Sequence, residues 1–378
     1  MSLVEGELEG KKELNQSKWY YINKFKWKCI SNNNYKRFTY LGGGDNELKS
    51  ATIMKIIEAN EENYQTLLKE IYFLACFKRN IYFSEIIDTF LSKKCDKLYI
   101  ILRLEGVDLK TLIEFNHFNF NEKYQNISRS IIFQVVCGLK FLHKNNLSHN
   151  DIKPGNILIT STGKTKICDL GSTDKNSKIR GNGTNGYLSP QAILGMKRTK
   201  EDDMYAVGIV FLELLNKKVG LFSTQKDNAG KEQLKNILKN CYDIKVQNSE
   251  WNDDNINYNI IISFIIDNRY DQFQYKLKDN MFLNNEAIDN KELIKNLLEI
   301  DPSKRKTAEQ VLNEKMFKDA KLSFVDSDMD YLEEDYNKFL RGTINIETFK
   351  KNVEFIREKF IGRTTLDERE LKKPEVEN

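Results

Sequence analysis

The chain has 378 residues, of which 40% are apolar and 30% charged, and its net charge is +4. That length makes two domains or one large two-lobed domain, and the apolar share excludes a wholly disordered chain. The near-balanced charge argues against a dedicated nucleic-acid binder, and 4 prolines with 19 glycines exclude a collagen-like or linker-dominated chain.

Residues 1–16 are charged and aperiodic and read as a mobile leader. From Trp19 to Ile57 the pattern is that of strands: Tyr20–Ile22, Phe25–Ile30, Tyr35–Leu41 and Ala51–Ile57. Ser31–Asn34 and Gly42–Asn46 supply the turns. A helix over Glu61–Phe77 carries Leu67, Ile71 and Leu74 at helical spacing. Two strands bracket Lys93–Asp96. After Gly106 the pattern becomes mainly helical: Ile127–Leu142 and Met204–Leu215 read as buried helices. Lys231–Asn240, Glu292–Leu298 and Ala308–Phe317 follow. Strands first and helices afterwards is an α+β order of segregated layers.

The longest apolar stretch, Ile260–Ile266, is interrupted by Ser263, so nothing approaches the roughly 20 residues of a membrane span. Met1–Glu5 lacks a basic-then-apolar signal, and Ser2 excludes N-myristoylation. The 6 cysteines (Cys29, Cys76, Cys95, Cys137, Cys168, Cys241) contain no CxxC pair. They read as reduced thiols of an intracellular protein, cytoplasmic or nuclear.

The chemistry concentrates in Ser148-His149-Asn150-Asp151-Ile152-Lys153-Pro154-Gly155-Asn156, followed 13 residues after Asn156 by Asp169-Leu170-Gly171. Here the sequence resembles the eukaryotic protein kinase family, whose catalytic loop and metal-binding triplet have these forms. Further signatures lie in order. Ile53-Met54-Lys55 resembles the strand-3 lysine motif, and Glu70 stands where the helix-C glutamate belongs. Gly183-Thr184 with Ser189-Pro190-Gln191 resembles the end of the activation segment. Asp203–Gly208 and Asp301–Arg305 resemble the two later helical signatures. Each alone has a bland reading, a turn-capping Asp or a surface ion pair. Their joint order outweighs it.

The resemblance implies a bilobal α+β fold: an N-lobe at 17–103 with an antiparallel sheet and helix C, a mainly helical C-lobe at 104–322, and an extension at 323–378. It implies transfer of the γ-phosphoryl of ATP to protein Ser/Thr hydroxyls, with Mg²⁺ as cofactor or Mn²⁺ in its place. Lys55 would hold the α- and β-phosphates, Glu70 would hold Lys55, Asp151 would take the hydroxyl proton, and Lys153 would contact the γ-phosphate. Asn156 and Asp169 would bind the metal through hard oxygens. Ile53 would roof the adenine, with Leu158 on its floor. Leu102 would be the gatekeeper, and the backbones of Arg103 and Glu105 would meet the adenine. Asp108 would contact the ribose or cap the helix Leu109–Phe115.

Several positions depart from the family pattern. Gly42–Gly44 lies too close to Lys55 to be the phosphate loop, which falls at Ile30–Arg37 and holds no glycine. Ile53 replaces a small alanine. Asn150 replaces the Arg that pairs with activation-segment phosphate. Gln191 replaces a Glu, so its pairing with Arg305 becomes a neutral hydrogen bond. The glycine-free loop and Ile53 favour a pseudokinase scaffold as the alternative; the complete set Lys55, Glu70, Asp151, Asn156 and Asp169 favours the enzyme. The insert at about 241–290 is either a surface for a regulatory partner or an Asn-rich elaboration. Beyond an acidic cluster at 326–335, the helical pattern Ile346–Phe360 either docks on the core or binds a partner. Residues from Thr364 read as disordered.

Overall fold

The computed structural model describes residues 19–22, 25–33, 37–43, 52–92, 94–114, 122–175, 183–223, 230–246, 256–283, 287–317 and 344–361. The leader, residues 34–36, Gly44–Asn46, the acidic cluster and the segment from Thr364 lie outside them. The described residues fall into two compact units, 19–105 with 344–361, and 106–317.

The first unit is built on a six-stranded antiparallel sheet: β1 (Trp19–Ile22), β2 (Phe25–Asn33), β3 (Arg37–Gly43), β4 (Thr52–Glu58), β5 (Ile86–Leu91) and β6 (Lys97–Arg103), in the order β1-β2-β3-β4-β6-β5. Alternation along β4 buries Met54 and Ile56 and leaves Ile53 and Lys55 partly exposed. Ser31–Asn33 does not turn. It extends β2 past a register shift after Cys29 and pairs with Arg37–Thr39. Gly42 and Gly43 likewise end β3, opposite Trp27 and Lys26, at the far end from the β2–β3 connection. Strand pairing here overrides turn propensity.

Helix α1 (Tyr64–Cys76) begins three residues later than the pattern suggested. Asn60 and Asn63 exchange backbone-to-side-chain hydrogen bonds of 2.9 and 3.2 Å, closing a turn before the helix starts. Helix α10 (Ile346–Ile356), continued by a π turn over Arg357–Ile361, realises the helical pattern read in the tail and belongs to this unit.

The second unit holds β7 (Val107–Asp108), α2 (Leu109–Glu114), α3 (Glu122–Lys144), β8 (Leu147–Ser148), β9 (Ile157–Ile159), β10 (Thr165–Ile167), β11 (Asp174–Lys175), α4 (Pro190–Ile193), α5 (Lys200–Asn216), α6 (Lys231–Cys241), β12 (Tyr242–Val246), α7 (Tyr258–Ile266), β13 (Phe273–Leu277), α8 (Ile288–Leu297) and α9 (Ala308–Leu312). Its core is α5, buried from Asp202 to Leu215. A Cβ at Gly208 would stand 2.9 Å from Leu297 Cβ, so glycine is needed where α5 meets the end of α8. The sequence pattern ran Ala308–Phe317 as one helix. The chain instead closes α9 at Asn313, whose N–H reaches the carbonyls of Glu309 and Gln310, and makes a separate 3₁₀ turn at Lys315–Phe317.

Within 241–290, β12 and β13 pair antiparallel, Tyr242 opposite Leu277, with α7 between them in sequence. Tyr242 donates to Leu298 O at 2.8 Å, and its hydroxyl meets that of Tyr205 at 3.0 Å. Ile261, Ile262 and Ile265 of α7 are buried. Burial pushes the Cys241 thiol up to about 12, which makes it inert as a nucleophile.

Candidate active site

In the first unit, β4 presents Ile53 and Lys55 on one face, paired across the ladder with Leu102 and Ile100. Lys55 Nζ lies 3.3 Å from Glu70 Oε1; Glu70 is 1% exposed and Lys55 25%. The buried carboxylate holds the Lys55 ammonium, and an ammonium so held has the composition needed to meet phosphate oxygens. Leu102 is buried in β6. The Arg103 N–H donates to Glu85 O at 3.0 Å, and its guanidinium pairs with the Glu85 carboxylate at 2.6 Å. The polar backbone group that Arg103 could turn to a base is therefore its carbonyl. Glu105 follows two residues on.

In the second unit, the segment after β8 is tied down by one buried carboxylate. Asp203, on α5, accepts from the N–H groups of His149 and Asn150, both at 2.8 Å, and meets His143 Nε2 at 3.0 Å. Burial alone would raise its pKa. The His143 hydrogen bond, the pull of His143 and His149, and the Asn150 N–H outweigh that and hold it below the usual carboxylate value. His149 is fully buried. Its Nδ1 accepts from the Asp151 N–H at 3.2 Å, which leaves Nε2 to donate to Cys168 O at 3.2 Å. One histidine thus links the Asp151 segment to the residue preceding Asp169.

The Asp151 carboxylate is the centre of the constellation. Oδ1 accepts from Thr184 Oγ1 at 2.7 Å, and Oδ2 accepts from Lys153 Nζ at 2.7 Å and Asn156 Nδ2 at 3.0 Å. Lys153 Nζ also donates to Thr184 Oγ1 at 2.7 Å. Asn156 stands in a 3₁₀ turn that Pro154 starts, and its Nδ2 also donates to Asp151 O at 2.8 Å. Because Nδ2 is committed to Asp151, the amide's carbonyl oxygen is the atom it can offer a cation. Asp169 adopts a left-handed backbone conformation, φ 62°, sparsely populated for a residue other than glycine and a mark of local constraint. An amide oxygen and a carboxylate fit a small hard cation that takes its remaining ligands from phosphate and water.

Asp108 and Leu158 are cross-strand partners in β7 and β9. Asp108 accepts from the Thr111 N–H at 2.9 Å and Thr111 Oγ1 at 2.8 Å, the geometry of a helix cap for α2. A Cβ on Gly106 would fall 2.0 Å from Ile159 O, so the approach to β7 requires glycine.

The later signatures stabilise this unit. Ser189 Oγ caps α4, accepting from the Ala192 N–H, and donates to Asp202. Arg305 Nη2 donates to Gln191 Oε1 at 2.5 Å, the neutral bond expected from the Glu-to-Gln departure, and Gln191 Nε2 donates to Ile300 O at 2.8 Å. Arg305 also lies 3.8 Å from Asp202 and over the Tyr205 ring at 4.9 Å. Asp202 also keeps Arg198 at 3.6 Å and the Thr199 N–H at 2.7 Å, so the groups that depend on Arg305 are its acceptors Gln191 Oε1, Glu299 O and Ile300 O, each costing roughly 1–3 kcal/mol if left unmatched. Arg305→Leu is therefore expected to lower the melting temperature by roughly ten degrees, read by calorimetry; a shift under about two degrees would show that these acceptors do not depend on it.

Asn150, in place of arginine, is buried with φ 67°. Its Nδ2 donates to Ser148 O at 3.1 Å and Ser172 O at 3.0 Å. It ties the Asp151 segment directly to the stretch after Asp169, a role its letter alone does not show. Asn's tolerance of the left-handed region is the signal that could have suggested a special backbone position. Asp203 was also visible only as a motif letter, not as the anchor of His149 and Asn150.

The sequence profile of the protein kinase domain matches residues 44–317, and the chain belongs to that family. It is 28% identical over 277 residues to "Serine/threonine kinase NLK" of Caenorhabditis elegans, covering 70% of this chain and 41% of that protein. It is 31% identical over 278 residues to "Extracellular signal-regulated kinase 1" of Dictyostelium discoideum, 70% of this chain and 49% of the relative. "Probable cyclin-dependent kinase 8" of the same organism is 32% identical over 155 residues, 38% and 41% of the two chains. The chain thus spans less than half the length of these relatives. No helix among the described residues is long and apolar enough to cross a membrane.

Proposed function

We propose that this chain is a serine/threonine protein kinase, transferring the γ-phosphoryl of ATP to a protein hydroxyl. The observation that carries the reading is the Asp151 carboxylate, held by Lys153 and Asn156 and already accepting a hydroxyl hydrogen bond from Thr184. A carboxylate so placed can orient an alcohol. As the alcohol oxygen bonds to the γ-phosphorus, the bond to the β–γ bridging oxygen breaks, Asp151 takes the alcohol proton, and ADP leaves. Lys55, aligned by Glu70, binds the α- and β-phosphates, and Lys153 offsets charge on the γ-phosphate. Asn156 and Asp169 would hold Mg²⁺, or Mn²⁺ in its place, which would supply electrostatic stabilisation of the phosphate oxygens. By the family pattern, Ile53 and Leu102 of the first unit and Leu158 of the second would be the apolar residues for adenine, and the Arg103 carbonyl and Glu105 backbone the polar groups for its edge. The glycine-free β2–β3 connection weakens nucleotide binding without removing any group that acts on the phosphoryl. The test is transfer of labelled phosphate from Mg-ATP to generic basic and acidic proteins; no transfer above an Asp151→Asn control would defeat the reading.

Activity is expected not to require phosphorylation of the activation segment. Asn150 carries no charge to bind a phosphate, and its amide already holds Ser172 O. Ser172, Thr173 and Thr184 are candidate acceptors among the described residues. Phosphatase treatment should change the rate by less than a few-fold. A collapse that preincubation with ATP restores would show that a cation other than residue 150 reads a phosphate.

A further inference from the structure

The family match ends at residue 317, yet residues 344–361 are packed along α1, the helix that carries Glu70. Asn345 caps α10, its Oδ1 accepting from the Thr348 N–H at 2.9 Å. Ile344 and Phe349, the staple positions flanking that cap, are both buried, as are Val353, Ile356 and Ile361. Phe349 stacks on Tyr64, the first residue of α1, with ring centroids 4.2 Å apart. Phe360 meets the edge of Tyr72, two turns further on, at 5.5 Å. Just beyond the end of α1, Lys78 Nζ donates to Ile361 O at 2.8 Å. Arg357 forks onto Asp88 of β5 with bonds of 2.7 and 3.0 Å. Asp88 is 5% exposed, so this is a partly buried bidentate pair rather than a surface contact. The segment therefore grips α1 along its whole length and is itself fixed to the sheet.

The physical need for such a grip lies in α1. Ten of its residues, from Tyr64 to Ala75, are buried, and a helix that is apolar around most of its circumference must be covered on several sides. At 3.6 residues per turn, Tyr64, Leu68 and Tyr72 share one face, and Glu70 points roughly 160° away from Tyr72. The tail thus presses from behind the functional face. Glu70 is 1% exposed, and its Oε2 has no hydrogen-bond partner among the described residues. Apart from Lys55, its position is set by the packing of the helix that bears it.

We propose that residues 344–361 are an intrachain clamp that positions α1, and through it Glu70 against Lys55, with Phe349, Arg357 and Phe360 as positioning residues for nucleotide binding and transfer. The proposal rests on the kinase reading for its consequence in catalysis, but not for the clamp itself. A partner protein is then not required to set α1, because the chain supplies the covering helix.

The test is a double-mutant cycle in the full chain. Arg357→Ala is expected to lower kcat/KM for ATP by roughly tenfold, and by less than twofold when Glu70→Gln is already present, because contacts in one network are non-additive. Arg357→Lys, which keeps the charge but not the fork, should recover part of the loss. In parallel, amide exchange of Leu67–Ala75 should accelerate at least several-fold in Arg357→Ala while α3 is unchanged. Phe360→Leu provides a second, milder variant if Arg357→Ala does not fold. Equal losses with and without Glu70 would reduce the segment to a structural cover, and unchanged exchange in α1 would remove the clamp. If the wild-type chain transfers no phosphate, the kinase reading fails separately. The same cycle is then read as the dissociation constant of a fluorescent ATP analogue together with the exchange data. Absence of coupling there would overturn the positioning role.

Discussion

Asp151→Asn is expected to reduce phosphoryl transfer by roughly 10³-fold, within the range that a positioned acid–base group contributes, while leaving the fold in place. The substitution keeps the size of the side chain and removes its charge and one acceptor oxygen. Oδ1 and Oδ2 now accept from three donors, Thr184, Lys153 and Asn156. An amide offers one oxygen, and its NH₂ must face a hydroxyl, an ammonium or another amide. It can no longer take the proton of an attacking alcohol. The backbone anchors are untouched: Asn156 Nδ2 still reaches the carbonyl of residue 151, and the N–H of residue 151 still reaches His149 Nδ1. The melting temperature should therefore move by only a few degrees. Transfer within tenfold of wild type would remove Asp151 from the proton step. A loss accompanied by a large drop in melting temperature would assign it a structural role instead.

Much of this site could be read before any coordinates. Lys55 and Glu70 lie 15 residues apart, and their pairing was implied by a strand followed by a helix in the family's order; the 3.3 Å contact agrees. The Asp151 segment is local, so its letters nearly specify its hydrogen bonds: Asp151, Lys153 and Asn156 meet within six residues. The Gln191–Arg305 bond was likewise deducible from one substitution, Gln for Glu, at one end of a known pairing.

What could not be read depends on long separations and on backbone state. Arg357 and Asp88 are 269 residues apart, and nothing in the periodicity of either segment names the other. The amphipathic pattern at 346–360 requires a cover without saying which surface supplies it, so docking and partner binding fit it equally. Asn150 looked like a loss, a missing cation. Its left-handed backbone and its bond to Ser172 O convert it into a direct tether. The strand extension at Ser31–Asn33 defeated a propensity argument, because Asn-rich text reads as turn until a neighbouring strand is present to pair with it.

Asp169→Ala is expected to lower transfer by about 10³-fold or more and to abolish its dependence on divalent metal, since losing several kcal/mol of charge stabilisation at the phosphates corresponds to that factor. The segment is also held by bonds that leave the Asp169 side chain aside. His149 Nε2 binds the carbonyl of Cys168, the Cys168 N–H donates to Asn156 O at 3.0 Å, and Asn150 binds Ser172 O. These bonds bracket position 169 on both sides and use no atom of its carboxylate. Alanine at a left-handed φ of 62° costs about 1 kcal/mol, too little to unfold the unit. Asn156 alone then offers one neutral oxygen, a weak ligand for a hard dication without a carboxylate beside it. Transfer assayed across a Mg²⁺ titration should stay flat near background. A variant that reaches near-normal rates at high Mg²⁺ would show that the metal is held mainly by other groups, and the pairing of Asn156 with Asp169 would have to be abandoned.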